Sequence, residues 1–402
     1  MNLCTTAEEA SAVAEPSRSH ASWALLALAV GAFGIGTTEF APMGLLPVIA
    51  EGVGATIPEA GLLVSAYALG VLLGAPLMTL GLGRMSRKTA LIALMAIFTV
   101  GNLLSAAAPG YGTLMMARLV TSLAHGAFFG LGSLVAASVV PPGRGASAVA
   151  TMFLGLTIAN VGGVPAATWV GQQIGWRMAF AGTAGLGLLA MAALAFALPR
   201  GERGRMPDLR RELRVLSRPA VLAAFATTVL GAGAMFTLYT YVAPVLANLN
   251  GAQPGFITMM LVLIGIGFTI GNMAGGRLAD RSLDGSLLLF LALLAAIMLV
   301  FPLLARSELG AAVALLAWGA ATFAVVPPLQ MRVMQLATEA PGLASSINVG
   351  AFNLGNALGA GVGGAVIALE WGYAAVPIAG AILAGGGLLL VLAGRAGKPA
   401  RG

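Results

Sequence analysis

Three ionisable side chains lie deep inside otherwise apolar runs: Glu39, Arg118 and His125. At the centre of a bilayer a charge costs at least ~2.5 kcal/mol on insertion scales, so one kept there is read as functional. A first span rising from near Trp23 puts Glu39 roughly 24 Å above its starting end, at 1.5 Å per residue. A fourth span descending to about Val139 puts His125 at roughly 21 Å and Arg118 at about 31 Å by the same arithmetic. Glu39 is therefore expected level with His125 and within long side-chain reach of Arg118. Arg118, Thr121, Ser122 and His125 follow i, i+3, i+4, i+7 spacing, which makes one polar stripe on a helix. The chemistry open to this set is proton transfer. A carboxylate moved between an apolar wall and a cationic neighbour can load and release a proton. Glu39 is the expected carrier, with Arg118 and His125 as its coupling partners; a static buried pair holding the two spans together is the alternative.

Groups that could hold a small molecule are also few. Tyr239 and Tyr241, near Phe236, offer rings with polar tips, suited to a ligand that is part apolar and part hydrogen-bonding. Interfacial anchoring is the competing reading of these aromatics. Asn348, Asn353 and Asn356 fall within an arc of about 140° on one helix. Buried amides need partners, from a ligand or a neighbouring helix. These five residues and Asn160 are the expected cavity residues, with Gln330 a weaker candidate. No metal and no cofactor is expected: the second histidine, His20, lies in the polar tail, and no serine–histidine–carboxylate set appears. An enzyme is not expected.

The elements that carry these residues follow from the absence of charge. Only 9% of the 402 residues are charged and 59% are hydrophobic. No charge occurs between Arg218 and Arg277. About 20 apolar residues cross the hydrocarbon core as a helix, and the chain holds about twelve such runs. The expected spans are 23–49, 59–82, 89–108, 112–139, 146–171, 175–198, 219–247, 255–278, 285–305, 308–330, 341–368 and 373–393. Little is left for an aqueous domain. The expected fold is an all-α membrane protein. Its expected divisions are a tail at 1–21, a six-helix bundle at 22–198, a linker at 199–218, a second bundle at 219–394 and a tail at 395–402. Arg210, Arg211, Arg214 and Arg218 sit at helical spacing in the linker and suggest an amphipathic surface helix.

A net charge of +7 invites a nucleic-acid reading, but the placement of the charges opposes it. All but three of the 21 basic residues fall in the tails, the linker and alternate connectors. The opposite connectors hold Arg177 and Arg306 beside Glu51, Glu59, Glu308 and Glu370. That asymmetry is the positive-inside signature, which places both termini in the cytoplasm. The expected surroundings are lipid, not nucleic acid.

The two halves echo one another. Gly83 and Asp280 sit in matching connectors 197 residues apart; Trp176 and Trp371 open matching spans 195 apart. A nearly constant offset indicates duplicated, pseudo-symmetric six-helix bundles, which frame a midplane site and rock about it. Glycine-rich stretches such as Gly155–Gly163 and Gly355–Gly364 are read as close-packing faces.

At this point the residues resemble the major facilitator superfamily. The loop Gly276-Arg-Leu-Ala-Asp280-Arg281 is similar to that family's connector motif, and Arg84-Met-Ser-Arg87-Lys88 sits where its first copy belongs. Gly83 stands where the family has an aspartate. Gly36-Thr-Thr-Glu39-Phe40, the Tyr67–Pro76 and Arg118–Gly130 segments, and Ala351-Phe-Asn353-Leu-Gly355-Asn356 resemble the bacterial drug:proton antiporter branch, closest to its arabinose-efflux-permease-like members. The resemblance implies a bacterial inner-membrane protein that exports drugs, sugars or nucleoside-like compounds in exchange for protons. Arg84, Arg87, Lys88, Asp280 and Arg281 are the expected gating loops. A monomer is expected. Import or facilitation on the same fold is the alternative. An ATP-driven pump would need a phosphate-binding loop ending Gly-Lys-Ser or Gly-Lys-Thr, and neither lysine, Lys88 or Lys398, has that context.

Overall fold

A computed structural model describes residues 18–55, 57–199 and 209–396. The N-terminal tail as far as residue 17, the linker residues 200–208 and the end of the chain from 397, with Lys398 and Arg401, lie outside the described residues. Among the described residues, twelve helices are long and apolar enough to cross a membrane: Ala21–Val53, Glu59–Gly81, Arg87–Ala107, Tyr111–Ser138, Gly145–Gln173, Trp176–Ala197, Pro219–Tyr239, Gly255–Arg281, Leu283–Leu304, Glu308–Leu336, Pro341–Ala368 and Ala375–Arg395. They are called spans one to twelve below. No strand occurs among the described residues.

Local chemistry sets the ends. Ser86 and Ser282 each cap a helix, accepting from the backbone N–H of Thr89 and Gly285 at 3.2 Å. Such caps satisfy amide groups that a helix start leaves unpaired. The two serines open spans three and nine, 196 residues apart, and so repeat the internal offset in structure. Two expected boundaries move. Span seven stops at Tyr239, and after a turn a separate helix, Val242–Asn250, follows. Pro244 has no N–H for the carbonyl of Thr240, so a continuous helix is lost there. Span ten runs past its expected end to Leu336, with an interruption at Val325 where Pro327 and Pro328 lack donors. Arg332, expected in a connector, therefore lies within a helix; its side chain is 12% exposed and 3.8 Å from Asp284. In the linker, the amphipathic reading corresponds to a short helix, Leu209–Leu216.

The surface is inverted relative to a water-soluble protein. Phe196, Leu309 and Ile382 point outward, while Arg118, Asn272, Gln330 and Asn348 are fully buried. Close helix approach makes this possible. A Cβ on Gly359 would lie 2.2 Å from the Gly233 carbonyl oxygen, and one on Gly155 would overlap the Ala29 carbonyl. Small residues bring backbones together where no hydrophobic effect drives helices into contact.

The bundles meet tightly near the ends that carry the basic connectors. Asp280 of span eight accepts from the backbone N–H groups of Ala146 at 2.8 Å and Ser147 at 3.2 Å, at the start of span five. Asn272 donates to the Ala150 carbonyl at 2.6 Å. Thr79 donates to Ser346 at 2.7 Å, and Ser345 donates to the Gly130 carbonyl at 2.9 Å. The opposite half of the seam encloses the larger cavity described next.

Candidate functional site

Span one brings Glu39 to the interior at mid-height, with its side chain 13% exposed. Span four brings His125 to it: Nε2 of the imidazole is 4.0 Å from Oε2 of Glu39. The other imidazole nitrogen, Nδ1, shares a hydrogen bond of 3.2 Å with the hydroxyl of Tyr67 on span two. The Tyr67 ring lies under the guanidinium of Arg118, whose carbon is 4.2 Å from the ring centroid. Glu39, His125, Tyr67 and Arg118 thus form one continuous chain of contacts.

Arg118 does not pair directly with Glu39. Among the described residues no ion pair within 4.0 Å joins them; Nη1 donates to the Thr38 carbonyl at 3.0 Å instead. Seven residues separate Arg118 from His125, a displacement of about 10 Å along the helix. The aromatic face of Tyr67 bridges that offset, and a cation over a desolvated ring is stabilised by about 2 kcal/mol. Nε and Nη2 of Arg118 are buried without hydrogen-bond partners. Thr38 also donates to Asn102 at 2.6 Å, as does Thr183 at 3.1 Å, so spans one, three and six hold this backbone in place.

Two cavities share the carboxylate. One of 670 Å³ occupies the half of the seam away from the basic connectors and reaches Glu39, Met43, Tyr67, Tyr239, Asn353 and Asn356. A smaller one, 80 Å³, continues behind it past His125 and Phe129. Among the described residues, Glu39 is the one carboxylate lining either cavity, and no lysine or arginine lines them. The walls are otherwise largely apolar, with a few polar groups to orient a ligand, the usual make-up of a small-molecule site.

The other expected cavity residues divide. Tyr239 lines the larger cavity and stacks on Trp318, with ring centroids 6.3 Å apart. Asn353 and Asn356 line both cavities. Tyr241 turns away and donates to the Ala360 carbonyl at 2.9 Å, pinning the break in span seven to span eleven. Asn348 accepts from Thr228 at 2.8 Å and donates to Gln330 at 2.7 Å. Gln330 in turn donates to Ser345, so both amides belong to a buried network that ends on the Gly130 carbonyl. Asn160 donates to the Leu156 carbonyl at 3.0 Å, within a π-helical turn, Ala159–Gly163, just before Pro165. Such turns widen a helix and are frequent at functional sites.

Among the residues expected to form gating loops, Asp280 makes the contact between bundles described above. Lys88 stays within its own bundle, donating to the carbonyls of Ala195 and, at 2.6 Å, Leu198 at the end of span six. Arg87 lines a separate 330 Å³ cavity with Gly83 and Gly342. Arg84 lies in the turn before span three, whereas Asp280 and Arg281, expected in a loop, form the last turn of span eight, because the helix continues until Ser282 caps the next one.

The Major Facilitator Superfamily model matches residues 28–360. The chain belongs to that superfamily. It is 66% identical over 370 residues to the inner membrane transport protein YdhP of Escherichia coli K12, covering 92% of this chain and 95% of the relative. It is 35% identical over 362 residues to the putative transporter AraJ of the same organism, covering 89% and 91%. A solved proton:xylose symporter of the superfamily, XylE, shares the fold with a TM-score of 0.75 at 14% identity, covering 95% of this chain and 96% of that one. The Escherichia coli fucose:proton symporter FucP gives 0.74 at 13%, covering 92% and 98%. The superfamily chain is accordingly a membrane transporter of inner-membrane type and not an enzyme.

Sequence reasoning missed the contacts of Tyr67 with His125 and Arg118. Its signal was available: a phenol in the middle of an apolar run, where a hydroxyl needs a partner. Thr38 and Asn102 went unremarked because neutral hydrogen-bonding side chains are common in membrane helices.

Proposed function

We propose that this transporter exports a small organic molecule of the drug, sugar or nucleoside-like kind in exchange for protons, with Glu39 as the proton carrier. The observation that supports this most is the position of the Glu39 carboxylate, the one acid lining both cavities, beside His125. Protonation of a lone carboxylate changes the charge of the whole binding cavity, and that change can be tied to which face is open. Tyr67 passes the influence of Arg118 to His125 and so to Glu39. Tyr239, Asn353 and Asn356 contact the substrate; Asn160, Asn348 and Tyr241 act through the shape of the helices that bear them.

In this reading the basic face is cytoplasmic, both termini included, and the protein works as a monomer of two bundles, 22–198 and 219–394, joined by 199–218. The structure then represents an outward-facing form, closed inside by the contacts around Asp280. Asp280 is the latch; Arg84, Arg87, Lys88 and Arg281 anchor the basic face to anionic lipid. Exported compounds would include antimicrobials, giving resistance.

The second reading is a proton-coupled importer or facilitator of the same fold, a fold shared by two solved proton symporters. Inverted vesicles separate them. Export by exchange predicts that a panel of sugars, nucleosides and amphenicol antibiotics includes a compound accumulated inside, and that collapsing the pH gradient stops the accumulation. Accumulation only in right-side-out vesicles would overturn exchange in favour of uptake.

A further inference from the structure

At the basic end of the seam between spans five and eight lies a cavity of 320 Å³ that plays no part in the transport site. Two guanidiniums line it, Arg144 from the first bundle and Arg277 from the second, together with Ser147. Leu25, Leu154 and Met273 continue its wall. These residues form a gradient along the bundle. Arg144 immediately precedes span five and Arg277 is about 6 Å from the end of span eight, whereas Met273 and Leu154 lie roughly 12–14 Å deep. The charged end thus sits at headgroup level and the apolar end at acyl-chain level.

Both cations are available. Neither guanidinium has an ion pair or hydrogen bond to another described residue. The acid nearest to Arg277 in the sequence, Asp280, accepts from the amides of Ala146 and Ser147, one on each oxygen. Exposed arginines over an apolar groove at a membrane interface suit a phosphate bearing hydrocarbon tails, because a guanidinium grips phosphate oxygens in a planar fork.

We propose that this cavity binds the headgroup of an anionic phospholipid, its phosphodiester held by Arg144 and Arg277 and its chains laid along Leu25, Leu154 and Met273. One phosphate held by both arginines bridges the two bundles on the face that Asp280 already closes. Anionic lipid therefore favours the form in which the basic face is shut.

The test uses the full chain in phosphatidylcholine nanodiscs doped with phosphatidylglycerol, with bound lipid read by native mass spectrometry and the gap across the basic face by spin-label distances. Selective retention of phosphatidylglycerol is expected, with a narrower distribution of distances. Arg144→Gln and Arg277→Gln should each weaken retention about fivefold, and the double variant about thirtyfold. Arg214→Gln/Arg395→Gln removes the same charge from the same face outside the cavity and should leave retention within about twofold of wild type. Equal losses in the two double variants, or none in either, would overturn the site. Inorganic phosphate added to pure phosphatidylcholine discs should not narrow the distances; narrowing by phosphate alone would overturn the lipid assignment. If the glutamine variant fails to fold, Arg144→Lys/Arg277→Lys decides: it keeps both charges and should retain lipid, and loss equal to that of an empty disc would count against the proposal.

Discussion

His125 presents one imidazole nitrogen to Glu39 at 4.0 Å while the Tyr67 hydroxyl binds the other at 3.2 Å. Each nitrogen thus has a defined neighbour, and the tautomer at one decides whether the other can donate toward the carboxylate. Arg118, stacked on the Tyr67 ring, makes no ion pair with Glu39 within 4.0 Å among the described residues and is joined to it by contact through this chain. Proton coupling in this account belongs to four residues and not to a carboxylate–guanidinium pair.

Tyr67→Phe isolates the middle of that chain. The ring under Arg118 remains and the hydroxyl to His125 is lost, a hydrogen bond with a net worth of about 0.5–1.5 kcal/mol. Folding should be intact, while the pH profile of transport should shift. An unchanged profile would remove Tyr67 from the coupling path.

Arg118→Lys keeps the charge and loses the planar group that stacks on Tyr67 and donates to Thr38. A lysine is a point charge and does not substitute at a stacked site. Transport should fall by about tenfold or more, in line with about 2 kcal/mol for a desolvated cation over a ring. Wild-type rates in proteoliposomes would show that charge alone suffices.

Asp280→Asn tests the latch. The carboxylate accepts two amides across the seam, and hydrogen bonds to a charged group are worth about 1.5–3 kcal/mol. Loss of the charge should widen spin-label distances between the start of span five and the end of span eight, shifting the populations by about tenfold or more. The same distance distribution in variant and wild type would assign closure to the Asn272, Thr79 and Ser345 contacts instead.

Outside the membrane, Arg218 and Glu339 form a two-pronged pair at 2.7 and 2.9 Å between the starts of spans seven and eleven. The hydrogen bonds from Arg218 hold the Glu339 carboxyl down at about 2, against an ordinary 4.5. A depressed carboxylate contributes stability that is full above its unfolded value and lost as pH falls through its folded one. The contribution should therefore fade between about pH 4.5 and 2. Because both groups are exposed, the effect is small. The fall in thermal midpoint across that window should be shallower in Glu339→Gln than in wild type; equal slopes would remove the pair from the pH response.

Gly359→Ala should lower stability by about 1–3 kcal/mol, the usual range for overpacking. Its methyl would meet the Gly233 carbonyl oxygen at 2.2 Å, and backbone cannot move aside cheaply. A thermal midpoint equal to wild type in detergent would show that spans seven and eleven can separate without loss.

Much of this was legible in the chain. Twelve long apolar runs with few charges read as spans, and the offset between Trp176 and Trp371 pointed to the duplication that Ser86 and Ser282 repeat as helix caps. The depth of Glu39 and His125 followed from helix rise alone. What rise cannot supply is azimuth: Asn348 and Asn353 are five residues apart on one helix, yet one is spent on Gln330 and the other lines the cavities. Nor does it supply what fills a gap, which is why Tyr67 between Arg118 and His125 went unread. The breaks at Thr240 and Val325 were written in Pro244, Pro327 and Pro328 but masked by unbroken hydropathy.

The central claim is that Glu39 carries the exchanged proton. It is tested most directly by recording substrate-driven pH change in proteoliposomes holding Glu39→Gln, alongside exchange of labelled for unlabelled substrate. The account predicts that substrate-for-substrate exchange persists while the pH change disappears, and that Glu39→Asp restores part of it. Proton movement of wild-type size in Glu39→Gln would contradict the claim.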